Sequence, residues 1–299
     1  MAKIFKEAGL KFGLEVSIFS YELTRDIPIS FVGDVIIGKK WKDDTVFEHL
    51  QEVIEEYQID MIIPFVDQAT LTVGELKART TLNSFVPVCD WSQSKVLFSK
   101  RQASAWYLQH GIKVPEINSP YPRIAKPDYG SASIGIQKLS SEKEEKDFFA
   151  DKDPEAYLVQ RFIEGVEYSV DAYVSMRTLE PVVIVPRKRL ETLGGEAVKS
   201  ITIKDTELIH LAKDILVKLT LKGPITLQFI QEVSSGTYYL TEINPRFGGG
   251  VVTSVGAGAN IPELLLLDFM GTDLPYREDW ENDMMMIRTF TEFYRKCNS

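Results

Sequence analysis

The sequence predicts a chain of mixed class, an α/β region followed by a larger α+β region. Three observations carry that expectation. Helical and strand patterns alternate over residues 1–90, strand patterns crowd together after Tyr121, and the length of 299 residues fits about two domains of about 150 residues each. Hydrophobic residues make up 44% of the chain and charged residues 26%, ordinary values for a globular protein, so a core forms without disulfide staples.

In the first region the spacing predicts a short amphipathic helix over Lys3–Leu10 and a strand over Leu14–Ser20. A short apolar run follows at Val35–Gly38. Val46, Leu50, Val53, Ile54 and Tyr57 recur at helical spacing, and Met61–Phe65 reads as the next strand. Asp67-Gln68-Ala69-Thr70 opens another helix, and Val86–Cys89 closes the series. Such alternation implies a parallel sheet with helices on its faces. The chain starts inside what reads as the helix after a first strand. That strand and its glycine turn are therefore expected to be missing, and the exposed edge to be covered by a homodimer mate or a partner subunit.

Ser92–His110 reads as one long helix with Gly111 suited to its C-cap, followed by the turn-rich GIKVPEINSPYP. Beyond it come RIAKP, IGIQKL, YLVQRFI, EYSVDAYVS, PVVIVPRKR, ITLQFIQEV and TYYLTEI as strands, with helices at Ser141–Ala150 and Glu207–Leu219. Many of these strands lie too close together for crossover helices, which makes the sheets antiparallel. IPELLLLDFMG closes the series as a largely apolar helix.

Charge and cysteine usage narrow the function. A formal net charge of −9 and a pI near 5.1 argue against a nucleic-acid partner. A local basic pocket or a metal still admits an anionic ligand. Cys89 and Cys297 match no metal or redox spacing, which suits a reducing compartment. No apolar run reaches the eighteen or so residues that span a bilayer, and MAKIFKEAGLKFG lacks a signal-peptide core. The expected location is the cytoplasm, with no membrane partner.

Three segments carry chemistry. In RIAKPDYGSASIGI, Lys126 ends a short strand just before a loop rich in glycine and serine. Small residues there let backbone N–H groups approach phosphate oxygens, and the lysine supplies the counter-charge. YLVQRFIEGVEYSVD follows a strand with a glycine turn. Its backbone can offer hydrogen bonds to an adenine ring, and Glu167 is placed for ribose hydroxyls. In YYLTEINPRFGGG, Glu242 and Asn244 are two apart on a strand and share a face, while Ile243 points to the core. Gln228 lies on the preceding strand, which can pair through the hairpin around Ser234-Ser235-Gly236. One carboxylate and two amide oxygens form a hard-oxygen set suited to Mg²⁺, with Mn²⁺ as an alternative. Arg246 just beyond can stabilise charge on a transferring phosphoryl group or an acyl phosphate, and Gly248–Gly250 permit close backbone approach.

The order of Lys100 on a helix, a lysine before a glycine-rich loop, VQRFIEGVEYSVD, LQF and EINPRF resembles the ATP-grasp superfamily. Within it, the chain looks like the carbamoyl-phosphate-synthetase-like members and related carboxylate–amine ligases. The resemblance covers nearly the whole chain, and EINPR is its most specific element. It implies a partial Rossmann-like pre-ATP-grasp domain over residues 1–90 and a linking helix and loop over 91–120. A small lid subdomain over 121–165 and a C-terminal subdomain over 166–299 would then grip ATP between two α+β units. By the same resemblance Lys100 and Lys126 would contact phosphates, with Ser131, Ser133 and Gly135 in the flexible lid. Gln160, Arg161, Phe162 and Ile163 would form the adenine hinge, with Glu167 on the ribose. Gln228, Glu242 and Asn244 would hold the metal, and Arg246 would face the acyl phosphate. Arg187, Lys188 and Arg189 fall where the family places basic groups near the γ-phosphate. The hinge departs from the family in carrying Arg161 where a glutamate is common.

The implied activity is formation of an acyl phosphate from a small-molecule carboxylate, followed by attack of an amine or similar nucleophile. Two rival readings keep the fold: one ATP-binding unit of a carbamoyl-phosphate-forming assembly, and a non-catalytic nucleotide-binding subunit.

Overall fold

The computed structural model describes residues 1–130 and 134–295, apart from the side chain of Glu196. The chain opens with helix α1 (Ala2–Lys11), then strands β1 (Phe19–Glu22) and β2 (Asp34–Ile37), which pair in parallel. Helices α2 (Val46–Glu56) and α3 (Asp67–Arg79) follow. The expected helices are present. The strand expected over Leu14–Ser20 is displaced toward Glu22, where β2 provides its ladder partner.

Met61–Phe65 and Val86–Cys89 do not become strands. Their pairing is one parallel bridge, Met61 to Phe85, held by Ile62 N–H to the Phe85 carbonyl at 3.0 Å and Phe85 N–H to the Asp60 carbonyl at 2.7 Å. Pro64 and Pro87 lack the N–H groups that would extend it. The parallel sheet of this region therefore has two strands.

Ser92–His110 is two helices rather than one, α4 (Trp91–Phe98) and α5 (Lys100–Gln109). The break is at Ser99, whose backbone is extended and whose hydroxyl caps α5 by accepting from Gln102 N–H at 3.2 Å. Gly111 follows with φ 68°, the left-handed conformation expected just past a helix end.

Next come β3 (Arg123–Pro127), β4 (Gln137–Leu139), α6 (Glu142–Phe148) and β5 (Tyr157–Arg161). The three strands form an antiparallel sheet in the order β4-β3-β5. The larger sheet contains β6 (Gly165–Val174), β7 (Pro181–Leu193), β8 (Glu196–Thr202), β9 (Gly223–Glu232), β10 (Tyr238–Asn244) and β11 (Met285–Ile287), in the order β10-β9-β6-β7-β8-β11. All its pairings are antiparallel. Helix α7 (Thr206–Lys218) joins β8 to β9, while α8 (Val251–Gly256) and α9 (Ile261–Phe269) follow β10.

β8, β11 and α8 are additions to the sequence reading. Gly194 and Gly195, both at positive φ, turn β7 back into β8 in the manner of a tight hairpin. The valine-rich α8 has β-propensity, yet tertiary packing buries Val251, Thr253 and Ser254 on a helix.

The main core lies on one face of the large sheet, where Val170, Ala172, Leu227, Phe229 and Ile243 meet Leu208, Ala212 and Leu265 of α7 and α9. Phe5 and Ala8 of α1 belong to the same core. Smaller clusters, Val46 with Leu50 and Leu76, and Val73 with Val86 and Val88, sit under α2 and α3.

Candidate active site

Strands β9 and β10 set out the metal-type donors. Gln228 stands directly across from Glu242, and Asn244 across from Thr226. Leu227, Phe229 and Ile243 are buried on the other face, so the period-two pattern turns Gln228, Glu242 and Asn244 away from the core. A register shift between Leu240 and Glu242 marks a bulge at the start of this acidic end.

Helices α4 and α5 pack beside β10 and bring Lys100 to it. The Lys100 ammonium lies 3.7 Å from Glu242 Oε1 and donates to the Gly130 carbonyl at 2.7 Å. Asp128, not singled out in the sequence, fixes this geometry. Its carboxylate accepts from Ser99 Oγ at 2.9 and 3.0 Å and from Arg101 N–H at 2.8 Å, and its carbonyl accepts from Lys100 N–H at 3.1 Å. The residue after Lys-Pro therefore pins the glycine loop to the start of α5. No local sequence pattern marks it, because Asp128 reaches the N-terminus of α5 only through the fold.

Lys126 lies on β3 opposite Leu158. Burial pushes its ammonium below the usual lysine range. The Glu242 carboxylate opposes that shift, Lys100 adds to it, and Glu167 opposes it again. Lys126, Lys100 and Glu242 thus form one electrostatic unit. The Tyr107 phenol belongs to it as well, pushed well above its ordinary range by burial and then by Glu242. Ser131 and Ser133 lie outside the described residues. Gly135 follows with φ 75°, and a Cβ there would come within 2.9 Å of Pro127 Cγ, so the loop returns tightly onto the end of β3.

The hinge segment departs from expectation. The Gln160 side chain is buried and donates to Ser104 Oγ at 3.1 Å and to the Pro115 carbonyl at 3.0 Å, which commits it to the protein interior. Arg161 N–H donates to the Glu116 carbonyl at 2.8 Å and Phe162 N–H to the Pro122 carbonyl at 3.0 Å. Those two N–H groups are therefore already engaged within the chain, which leaves the Ile163 backbone and the segment's carbonyls as the hinge candidates. The Arg161 guanidinium pairs with Glu116 at 2.7 Å and Glu232 at 3.2 Å, away from any hinge role. Glu167 is exposed and holds Arg189 at 2.9 Å across a groove that Gly165, Leu190 and Thr192 also line.

Of the three basic candidates on β7, Arg187 is sealed. Its Nε and Nη2 donate to Asp171 at 2.6 and 3.0 Å, with Arg187 and Asp171 side chains 2% and 1% exposed. Asp171 also accepts from Ser254 Oγ at 2.6 Å and Thr226 Oγ1 at 3.2 Å. This network underlies the glycine run after Arg246. A Cβ on Gly248 would meet Thr226 Oγ1 at 2.7 Å, and one on Gly250 would meet Arg187 Cζ at 2.8 Å.

Residues 153–292 match a family model described as ATP-grasp in the biosynthetic pathway with Ter operon. Solved structures match over most of the chain. Biotin carboxylase of Campylobacter jejuni, in a β,γ-ATP complex, is 15% identical with a TM-score of 0.76, over 95% of this chain and 72% of that one. The chain has the ATP-grasp fold. Two further solved structures of similar fold have different printed activities. N5-carboxyaminoimidazole synthetase of Staphylococcus aureus, complexed with ADP, is 18% identical with a TM-score of 0.73, covering 92% of this chain and 76% of that one. L-amino acid ligase of Bacillus licheniformis is 17% identical with a TM-score of 0.68, covering 90% and 71%. A search of curated protein sequences found no match. Among the described residues no helix is long and apolar enough to cross a membrane.

Proposed function

We propose that this chain is an ATP- and Mg²⁺-dependent ligase that activates a small-molecule carboxylate as an acyl phosphate for attack by an amine or similar nucleophile. The observation that supports it most is the convergence of Gln228, Glu242 and Asn244 on one end of the β9–β10 pair, with Lys100 at 3.7 Å from Glu242. The donor chemistry fits the metal. One carboxylate and two amide oxygens are hard ligands, and among the described residues no group of three His, Cys, Asp or Glu offers a stronger cage. Such a site suits an ion that keeps nucleotide oxygens and waters as its remaining ligands, and Mn²⁺ takes the same donors. Bound there with nucleotide, the ion supplies neutralisation of phosphate charge.

The chain's own residues then divide the work. Lys126 and Lys100 hold phosphate oxygens, Ile163 and nearby carbonyls meet the adenine, and Glu167 turns to the ribose. Arg246 draws off charge as the acyl phosphate forms. The domain division that accompanies this reading is residues 1–90 as pre-ATP-grasp domain, 91–120 as link, 121–165 as lid subdomain and 166–299 as C-terminal subdomain.

Phosphate release from Mg·ATP, screened against pooled carboxylic and amino acids, tests the reading. Stimulation by one acid–amine pair is expected; a complete screen without stimulation sinks it. Glu242→Gln is expected to lower turnover at least a hundredfold and to raise the Mg²⁺ concentration needed, since it removes the one carboxylate of the donor set. Unchanged Mg²⁺ dependence would reject the metal assignment.

A further inference from the structure

Each nitrogen of the Arg246 guanidinium donates one hydrogen bond within the chain. Nε donates to Asp67 Oδ1 at 2.5 Å, Nη2 to Asn244 Oδ1 at 3.2 Å and Nη1 to the Phe247 carbonyl at 3.2 Å. Asp67 is the single charged partner of the three and sits in the first turn of α3, remote in sequence from β10. Two residues earlier, Phe65 stacks on Phe247 with ring centroids 5.6 Å apart and planes at 17°. Residues 65–67 are therefore docked on residues 246–247 by an ion pair and a ring stack.

The ion pair is part-buried, with Arg246 15% and Asp67 26% exposed, so the two charges are mutually neutralised before any ligand arrives. Yet Asp67 engages the guanidinium through a single oxygen. A carboxylate approaching the planar fork can form two parallel bonds, a stronger geometry than one. There is also somewhere for Asp67 to go. A small cavity beside the pair is lined by Asp67, Thr70 and Ser94, and the buried Ser94 hydroxyl has no hydrogen-bond partner.

We propose that Asp67 holds the place of the substrate carboxylate on Arg246, and that an anionic substrate binds by exchange with it, the displaced Asp67 accepting from Ser94. Naming the incoming anion a substrate carboxylate rests on the ligase reading; the exchange itself does not. Asp67 is accordingly a specificity-setting residue. A neutral isostere of the substrate cannot release it, and the threshold for occupancy is set by competition between two carboxylates.

Inorganic phosphate is the probe, titrated by calorimetry into the full chain and its variants. Asp67→Asn removes the internal competitor and is expected to bind phosphate about tenfold tighter, a difference of about 1.4 kcal/mol. The same change in an Arg246→Met background is expected to gain less than twofold, which separates Arg246 from the lysines nearby. Asp67→Ser, which keeps a residue suited to a helix start, repeats the test should the asparagine variant fold poorly. Equal phosphate affinity in wild type and both Asp67 variants, or an equal gain without Arg246, overturns the proposal. Tighter phosphate binding together with no carboxylate-stimulated turnover leaves the exchange standing and rejects the ligase reading.

Discussion

Asp171→Asn puts a number on the buried network beneath the glycine run. The carboxylate accepts from Arg187 Nε and Nη2, from Ser254 Oγ at 2.6 Å and from Thr226 Oγ1 at 3.2 Å. The amide keeps the shape and one acceptor oxygen but leaves a guanidinium, charged at all accessible pH, without its anion at 2% exposure. Removing one partner of a buried pair costs about 3–5 kcal/mol, because the other charge stays buried and uncompensated. Unfolding entropy of about 2.1 cal/mol/K per residue amounts to about 0.6 kcal/mol/K for a chain of 299 residues that unfolds as one unit. The expected fall in Tm is thus about 5–8 °C, read by scanning calorimetry with urea midpoints as a second measure. Adding Arg187→Met removes the stranded charge and is expected to recover more than half of the loss. A single variant within about 1 °C of wild type, or a double variant no better than the single, would refute the argument that this pair carries the loop.

Two further outcomes follow from the same geometry. Gly250→Ala places a methyl against the Arg187 guanidinium, which its bonds to Asp171 prevent from yielding; overpacking of about 1–3 kcal/mol is expected, with weaker Mg·ATP binding measured by calorimetry and relief in an Arg187→Met background. For Lys126, burial disfavours the charged form, so the ammonium is lost at a lower pH than an ordinary lysine with pKa about 10.4. The sign is fixed: protonated Lys126 attracts phosphate, so ADP affinity is full at lower pH and falls as pH rises through the lowered value. Lys126→Arg, which stays charged, should flatten that alkaline limb, and an unchanged limb would remove Lys126 from the phosphate contacts.

How much of this was legible in the sequence depends on the range of the interaction. Glu242 and Asn244 on one face, with Ile243 in the core, follow from the two-residue period of a strand, and the hairpin bringing Gln228 across follows from a nearby turn. The large antiparallel sheet was readable because Val170, Leu227 and Phe229 mark apolar faces along long runs. Legibility failed where local preference and tertiary context disagree. Met61–Phe65 has strand composition, but Pro64 and Pro87 leave it one bridge. Val251–Gly256 has strand composition too and is a helix. The break at Ser99 depends on Asp128, which no pattern within residues 92–110 contains.

The site fails to be legible in a more instructive way. Its candidate groups can be proposed from residue type and order, whereas their partners cannot, since Asp67 with Arg246 and Asp171 with Arg187 are choices made by the folded chain. Those partners change the electrostatics. Lys100 faces Glu242, Arg246 faces Asp67, and Arg189 faces Glu167, so each of these cations already has a carboxylate of its own. A chain of net charge −9 therefore need not present a free positive cleft to bind a triphosphate. On the proposed exchange, anionic ligands would enter by displacing internal carboxylates, and a divalent ion held by Glu242 would release Lys100 to the phosphates. Metal and nucleotide affinity would then be coupled through one side chain: each is expected to be weaker alone than together, because either one alone must break the Lys100–Glu242 contact without the other's compensating charge.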